Sequence, residues 1–274
     1  MLFFDGQKGP VAYQYHRKEG LPTLLLLNGI MMSMDSWTPF IKPLSDHVSL
    51  LLVDFYDQGK SASLDEDYTQ DIQVTLILGL LDHLNLNEVH VAGISYGASI
   101  AFQLTAREPS KVSSLMIFNG VMKTHDALKK IGDHWNQVAA TLEGEAYYQA
   151  TIPMIYSDYF KTHQKTWMAS RKKLLTEVFS NPAFLACMVR LTKSAETHDV
   201  TEALSSFKMP VLIIASDDDP LTPKEEQYAI VDRIKHAELI TFYHTGHASM
   251  YERPTLFLHT IIGFIQSLNY PISL

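Results

Sequence analysis

The sequence has 274 residues, of which 46% are hydrophobic and 19% are charged, and its formal net charge is −8. This composition is typical of a globular protein with a sizeable core and excludes a disordered chain. The negative charge argues against a nucleic-acid partner, because phosphate binding depends on clustered Lys and Arg. No apolar run approaches the length of about 20 residues that crosses a bilayer, so no membrane span is predicted.

The cysteine content and the N-terminal sequence indicate a cellular compartment. The sole cysteine, Cys187, cannot form an intramolecular disulfide. Residues 1–5 lack the basic region and the longer apolar run of a secretory signal. Together these features predict a cytoplasmic protein.

Short runs rich in Val, Ile and Leu alternate with longer stretches of helical periodicity. The predicted strands are residues 23–27, 48–55, 88–92, 114–119, 211–215 and 238–242. The predicted helices are residues 71–84, 97–108, 224–234 and 254–267. This alternation predicts an α/β fold with a mostly parallel central sheet flanked by helices.

The alternation stops between Val121 and Phe207, where no clear strand is found and helical stretches occur at 125–142 and 167–179. An insertion of about 85 residues after one strand of such a sheet is typical of a helical cap over a binding site. We therefore predict a core domain of residues 1–120 and 208–274 and a helical cap subdomain of residues 121–207.

The segment GISYG at residues 93–97 follows a predicted strand and precedes a predicted helix. A G-x-S-x-G motif in that context forms a sharp turn that presents the serine hydroxyl above the sheet. Ser95 is therefore the predicted nucleophile, and the backbone N–H of Tyr96 would face the developing oxyanion. A serine nucleophile needs a histidine base, and that histidine needs an orienting carboxylate.

Both partners are available downstream. His247 lies in the loop between the last predicted strand and helix, and His244 is the alternative base. Asp217, Asp218 and Asp219 follow the strand at 211–215, although three aspartates also fit a solvated turn or a cation site. The two histidines have a spacing that zinc could use, but no third ligand is evident, so no metal is predicted.

The chain resembles the α/β-hydrolase family over nearly its whole length. Beyond the serine motif, residues 28–30 (NGI) resemble the family's His-Gly-x oxyanion loop. Residues 54–61 resemble its D-x-x-G-x-G-x-S loop with the first glycine lost, and residues 246–254 resemble its G-H-x-x-x-x-E-x-P segment. The resemblance implies an α/β-hydrolase fold with a helical cap, a serine-esterase-like activity and no cofactor.

The resemblance also implies roles for individual residues. The family's G-x-x-D-x-x-x-P segment corresponds to residues 216–223, which makes Asp219 the acid and leaves Asp218 as the next candidate. It makes the backbone N–H groups of Ile30 and Tyr96 the donors of the oxyanion hole. Asn28 stands where the family has a histidine that shapes this loop.

The predicted cap is rich in aromatic residues and methionines, and further methionines flank the oxyanion loop. Most of these side chains would form the cap's own core, and the others would line an apolar pocket for a small or medium acyl chain. The predicted substrate-binding residues are Asn28, Met31, Trp135, Met154 and Tyr159.

The predicted function is hydrolysis of a carboxylic ester, lactone or thioester through an acyl-enzyme. An acyltransferase using the same acyl-enzyme is one alternative, and a small-molecule receptor on the same scaffold is another. Residues 27–33 also resemble a subgroup that includes acyltransferases on carrier-protein thioesters. Residues 129–130 and 171–173 are basic, which fits either a solvated helix face or a dock for an acyl carrier protein.

Overall fold

The computed structural model describes residues 1–269. Its eight strands are β1 (Leu2–Gly6), β2 (Gly9–His16), β3 (Thr23–Leu27), β4 (Ser49–Val53), β5 (Val89–Ile94), β6 (Val112–Phe118), β7 (Val211–Ser216) and β8 (Glu238–Phe242). They form one sheet in the order β1-β2-β4-β3-β5-β6-β7-β8. All pairs from β4 to β8 are parallel, and the β1–β2 and β2–β4 pairs are antiparallel. The predicted mostly parallel sheet is confirmed.

The N-terminal hairpin of β1 and β2 was absent from the sequence prediction. These strands lie at one edge of the sheet, and β1 keeps Leu2 and Phe3 exposed. Antiparallel edge strands are solvated on part of their surface, so they lack the continuous apolar run that marks a buried parallel strand.

Helices flank the sheet, and at least one follows each strand from β3 to β8. They are α1 (Thr38–Ser45), α2 (Asp71–His83), α3 (Tyr96–Arg107), α4 (Asp126–Ala139), α5 (Gly144–Ile155), α6 (Asp158–His163), α7 (Lys165–Phe179), α8 (Pro182–Ser194), α9 (Lys224–Arg233), α10 (Ser249–Glu252) and α11 (Pro254–Asn269). Within residues 1–269, no single helix is long and apolar enough to cross a membrane, and α7 with α8 meets that test only as a pair bent by 93°.

The core lies on both faces of the sheet, as strand β3 illustrates. Leu24 and Leu26 pack with residues of α1 and α11, whereas Leu25 and Leu27 pack with residues of α2 and α3. Successive side chains of a strand point to opposite faces, so four consecutive leucines serve two helical layers. This burial fixes the strand whose carboxyl end leads into the NGI loop.

Helices α4 to α8 occupy the stretch between β6 and β7 that the sequence marked as an insertion. They pack on one another, with α5 against α4 and α7, and α8 against α4 and α7. In the described chain this stretch contributes no strand to the sheet, only an isolated bridge between Lys123 and Asp199. The boundaries of a cap subdomain at 121 and 207 stay a prediction.

Candidate active site

Ser95 forms the turn between β5 and α3, and its backbone is strained. Its φ is 55° and its ψ is −116°, a conformation that L residues rarely adopt. The Ser95 amide donates to the carbonyl oxygen of Phe118 in β6 at 3.0 Å, which holds the turn against the neighbouring strand. The sheet thus fixes the position of the serine hydroxyl.

The two glycines of the motif permit this turn by close backbone packing. A Cβ added to Gly93 would clash with the carbonyl oxygen of Gly97. A Cβ added to Gly97 would clash with the carbonyl oxygen of Leu27 at the end of β3. Both positions therefore require glycine for the helix to begin directly above the sheet.

The structure brings Ser95, His247 and Asp219 together. The Nε2 atom of His247 lies 2.7 Å from the Ser95 Oγ, across 152 residues of sequence. The Nδ1 atom of the same ring lies 2.8 Å from the Asp219 Oδ2. An ionised carboxylate only accepts hydrogen bonds, so Nδ1 carries the proton and Nε2 is free to accept from the serine hydroxyl.

The alternative base, His244, does not form the contacts to Ser95 and Asp219. Its ring stacks on Tyr159 with the ring centres 5.3 Å apart. Both nitrogens of His247 are engaged by Ser95 and Asp219. In the part of the chain that the structure describes, no group of three or more His, Cys, Asp or Glu side chains is placed to hold a metal ion.

Asp219 is buried, and its carboxylate accepts several hydrogen bonds. Besides the His247 ring, it accepts from the Asn119 amide at 2.9 Å, the Thr222 hydroxyl at 2.6 Å and the backbone N–H groups of Leu221 and Thr222. Burial opposes ionisation and is the largest effect, but His247 and Thr222 together outweigh it and hold the pKa of Asp219 below its ordinary value. Asp219 is thus ionised and can orient the imidazole.

The two neighbouring aspartates bind the backbone instead. Asp217 accepts from the Thr245 N–H at 3.3 Å, and the Asp218 N–H donates to the Thr245 carbonyl at 3.0 Å. Both contacts hold the histidine loop beside the turn that follows β7. Of the three aspartates, Asp219 is the one whose carboxylate contacts His247.

Asn119 is part of this site and was not assigned a role from sequence. It follows β6, is fully buried and has a positive φ of 51°. Its side-chain amide nitrogen donates to Asp219 and to the Ser216 hydroxyl. Its side-chain Oδ1 accepts from the Ser249 hydroxyl at 2.7 Å. A polar residue directly after a buried strand, at the carboxyl edge of the sheet, was the signal that could have found it.

Ile30 and Tyr96 line the same cavity as Ser95. Tyr96 is the first residue of α3, where an N–H has no acceptor within the helix. Among the described residues, neither N–H donates to another backbone group in a turn or loop. These two N–H groups stay the predicted donors of an oxyanion hole.

The loop that carries Ile30 is held by two buried amides. The Gln58 side chain donates to the carbonyl oxygens of Gly29 at 2.9 Å and Ile30 at 3.2 Å. Asn28 donates to Gln58 at 3.1 Å and accepts from the Trp37 ring N–H at 2.7 Å. Asn28 and Gln58 thus shape the loop, and Gln58 was missed because its partners are distant in sequence.

A cavity adjoins Ser95 and His247, and its space, including the solvent at its mouth, is about 1310 Å³. Side chains from the core loops and from α4, α5, α7 and α8 line it, and most of its wall is apolar. Two of the predicted substrate-binding residues, Met31 and Trp135, lie on the wall.

The structure places the other three predicted substrate-binding residues away from the cavity wall. Asn28 is fully buried in the amide network under the loop. Tyr159 is 44% exposed and stacks between His163 and His244. Met154 is half-buried and packs against the main hydrophobic cluster. Met154 and Tyr159 are helical residues, and the sequence pattern leaves open which way each helix turns its side chains.

The basic residues of the predicted dock differ in their surroundings. Lys129 and Arg171 border the cavity, Lys130 and Lys173 are exposed, and Lys172 pairs with Glu145 at 2.6 Å. The carrier-protein partner stays a prediction.

Comparison with known proteins places the chain in a family. The profile of the alpha/beta hydrolase fold matches residues 22–254, and the chain therefore belongs to the α/β-hydrolase fold family. It is similar to a solved alpha/beta hydrolase enzyme, MGS-M2, from a Medee basin deep-sea metagenome library, with 45% identity, a TM-score of 0.96 and coverage of 99% and 100% of the two chains.

Curated relatives are more distant but match along almost their whole length. RutD of Pantoea ananatis is 24% identical over 246 residues, which cover 89% of this chain and 88% of the relative. The 3-oxoadipate enol-lactonase 1 of Acinetobacter baylyi is 24% identical over 272 residues, which cover 98% of each. The hydrolase family thus includes a lactone-cleaving relative.

Proposed function

We propose that this protein is a cytoplasmic serine hydrolase that cleaves a carboxylic ester, lactone or thioester with a small to medium acyl group. The observation that carries the proposal is the hydrogen-bonded series from Ser95 through His247 to Asp219, with contacts of 2.7 and 2.8 Å, at the wall of a largely apolar cavity. We further propose that α4 to α8 act as a cap that restricts water at this site.

In the first half of the reaction, the Ser95 Oγ attacks the substrate carbonyl carbon while His247 takes the hydroxyl proton. The carbonyl oxygen becomes an oxyanion, which the N–H groups of Ile30 and Tyr96 bind; loss of one such donor costs about 10²–10³ in rate. The bond to the leaving group then breaks, and His247 gives its proton to the departing oxygen or sulfur. The acyl group stays on Ser95.

In the second half, water attacks the acyl-enzyme while His247 takes a proton from it. The bond between the acyl carbon and Oγ breaks, Ser95 regains its proton from His247, and a carboxylic acid is released. Asp219 stabilises the imidazolium in both halves without becoming protonated. An enol-lactonase among the relatives fits this chemistry, because a lactone is a cyclic ester.

The test is intact-mass spectrometry after treatment with a fluorophosphonate, together with turnover of 4-nitrophenyl esters of graded chain length. We expect one adduct on the wild type and none on Ser95→Ala or His247→Ala. Ser99→Ala, one helical turn further on, is the control that keeps the adduct. An adduct on Ser95→Ala, or a wild type with neither adduct nor turnover, would overturn the proposal.

A further inference from the structure

Arg171 of α7 borders the cavity that contains Ser95, and aromatic rings hold it there. The centre of its guanidinium lies 5.1 Å from the Tyr251 ring centre and 5.9 Å from that of Trp167. Such contacts attract a cation and restrict its orientation. The guanidinium therefore has a defined position on the wall of the pocket.

Arg171 is half-buried, and its guanidinium lacks a carboxylate partner. Among residues 1–269, no Asp or Glu forms an ion pair with Arg171. Its Nε atom is buried and has no hydrogen-bond partner in that range. A buried donor without a partner is unfavourable, and ring faces do not satisfy an N–H group as an oxygen does. The Nε–H group thus has hydrogen-bonding capacity that the described residues leave unused.

The nearby carboxylates are used elsewhere. Glu252 lies near Tyr156, as Arg171 does, but its oxygens accept from the N–H and hydroxyl of Ser157. By contrast, Arg190 of α8 has a bidentate carboxylate partner in Asp57. Arg171 thus differs from Arg190: it lines the cavity, whereas Arg190 is paired with a carboxylate side chain.

The charge of the cavity wall is positive as a result. Among the described residues, the Lys, Arg, Asp and Glu side chains on the wall are Lys129, Arg171 and Glu196. Lys129 and Glu196 have opposite charges, so their sum leaves the Arg171 charge uncompensated. An otherwise apolar pocket with one net positive charge favours a substrate that combines an apolar chain with one negative group.

We propose that Arg171 binds a carboxylate of the substrate, at the end remote from the carbonyl that Ser95 attacks. This inference rests on the proposed function and narrows its substrate class to esters, lactones or thioesters that carry a free carboxylate. The two Nη groups of a guanidinium can donate together to the two oxygens of a carboxylate. The apolar wall would hold the chain between the two ends.

Tyr156 supports the same assignment. It borders the cavity next to Arg171. Burial raises the pKa of its phenol, and the Arg171 charge acts in the opposite direction. The phenol thus stays neutral at physiological pH and can donate a second hydrogen bond to a bound carboxylate.

The test compares two substrates with the same leaving group and acyl length: mono-(4-nitrophenyl) glutarate, which is anionic, and 4-nitrophenyl valerate, which is neutral. For Arg171→Gln we expect kcat/KM for the glutarate to fall about 10- to 100-fold, mainly through KM, because a charged hydrogen bond is lost. The valerate should change less than about threefold. Arg171→Lys should recover part of the loss, and Lys173→Gln, an exposed charge two residues away, should change neither substrate.

Glutarate binding to the wild type and Arg171→Gln, measured by calorimetry, gives a readout that needs no turnover. We expect binding to the wild type and at least a tenfold weaker interaction with the variant. Equal losses on both substrates, or equal glutarate affinities, would overturn the inference. If the wild type hydrolysed neither ester, the proposed function would fail, while the binding comparison would still decide the role of Arg171. Circular dichroism of both Arg171 variants excludes misfolding as the cause.

Discussion

The Asp57 carboxylate forms a bidentate ion pair with the Arg190 guanidinium of α8, with an Oδ1–Nη2 distance of 2.6 Å and an Oδ2–Nε distance of 2.9 Å. The Asp57 side chain is fully buried and its φ is 66°, at the position where the family has a glycine. The Tyr68 hydroxyl also donates to this carboxylate, at 2.8 Å. The pair joins α8 to the loop whose next residue, Gln58, supports the NGI loop.

Arg190→Met should destabilise the protein because it leaves a buried carboxylate without its partner. We expect the free energy of unfolding to fall by about 3–5 kcal/mol. Adding Asp57→Gly should restore much of it, since glycine removes both the charge and the strain at positive φ. Urea unfolding of the single and double variants measures this.

The control is Lys193→Met, which breaks an exposed ion pair with Asp67 and should lower the free energy of unfolding by at most about 1 kcal/mol. A double variant no more stable than Arg190→Met would contradict the explanation.

Asp219→Asn should lower kcat/KM by about 10⁴-fold, because an amide in place of the carboxylate favours the wrong histidine tautomer. Steady-state hydrolysis of a 4-nitrophenyl ester measures this effect. The matched control is Asp218→Asn, since Asp218 is exposed and contacts the histidine loop only through its backbone. A comparable loss of kcat/KM in both variants would contradict the assignment of Asp219 as the residue that orients His247.

The stability of the protein should depend on the ionisation of Asp219. The folded-state pKa of Asp219 lies below its ordinary value of 3.8. The unfolded chain therefore binds its proton at higher pH than the folded chain, and ionised Asp219 stabilises the native state above pH 3.8. This contribution is lost as the pH falls through the lowered folded value. In urea unfolding, the stability advantage of the wild type over Asp219→Asn should shrink as the pH is lowered from 3.8 through the folded-state pKa of Asp219; an advantage that grew over that interval would contradict the sign of the shift.

Gln58→Leu should reduce catalysis without removing any group that touches the substrate. Its amide holds the carbonyl oxygens of Gly29 and Ile30, so its loss should displace the Ile30 N–H. We expect kcat to fall by up to about 10²-fold, the loss produced by one missing oxyanion donor, with a smaller change in KM. Gln103→Leu, an amide that instead contacts Gln70 and His198, is the control. A pure KM effect would indicate that Gln58 shapes the pocket and not the oxyanion site.

Features that depend on neighbouring residues could be predicted from the sequence. The parallel strands were evident because strands buried on both faces are continuous apolar runs, such as β3. The Ser95 turn was evident because a strand, two glycines and a helix are contiguous around it. Asp219 and His247 follow β7 and β8 at the carboxyl edge of the sheet, where such strands gather their polar side chains.

Features that depend on residues far apart in the chain appeared only in the tertiary structure. Asn119 reaches Asp219 across 100 residues, and Asp57 meets Arg190 across 133. Composition could show that the inserted helices are aromatic, but it could not show their rotation, which puts Trp135 on the cavity wall and Tyr159 at the surface. The physical reason is that periodicity defines which residues share a helix face, whereas long-range packing decides what that face contacts.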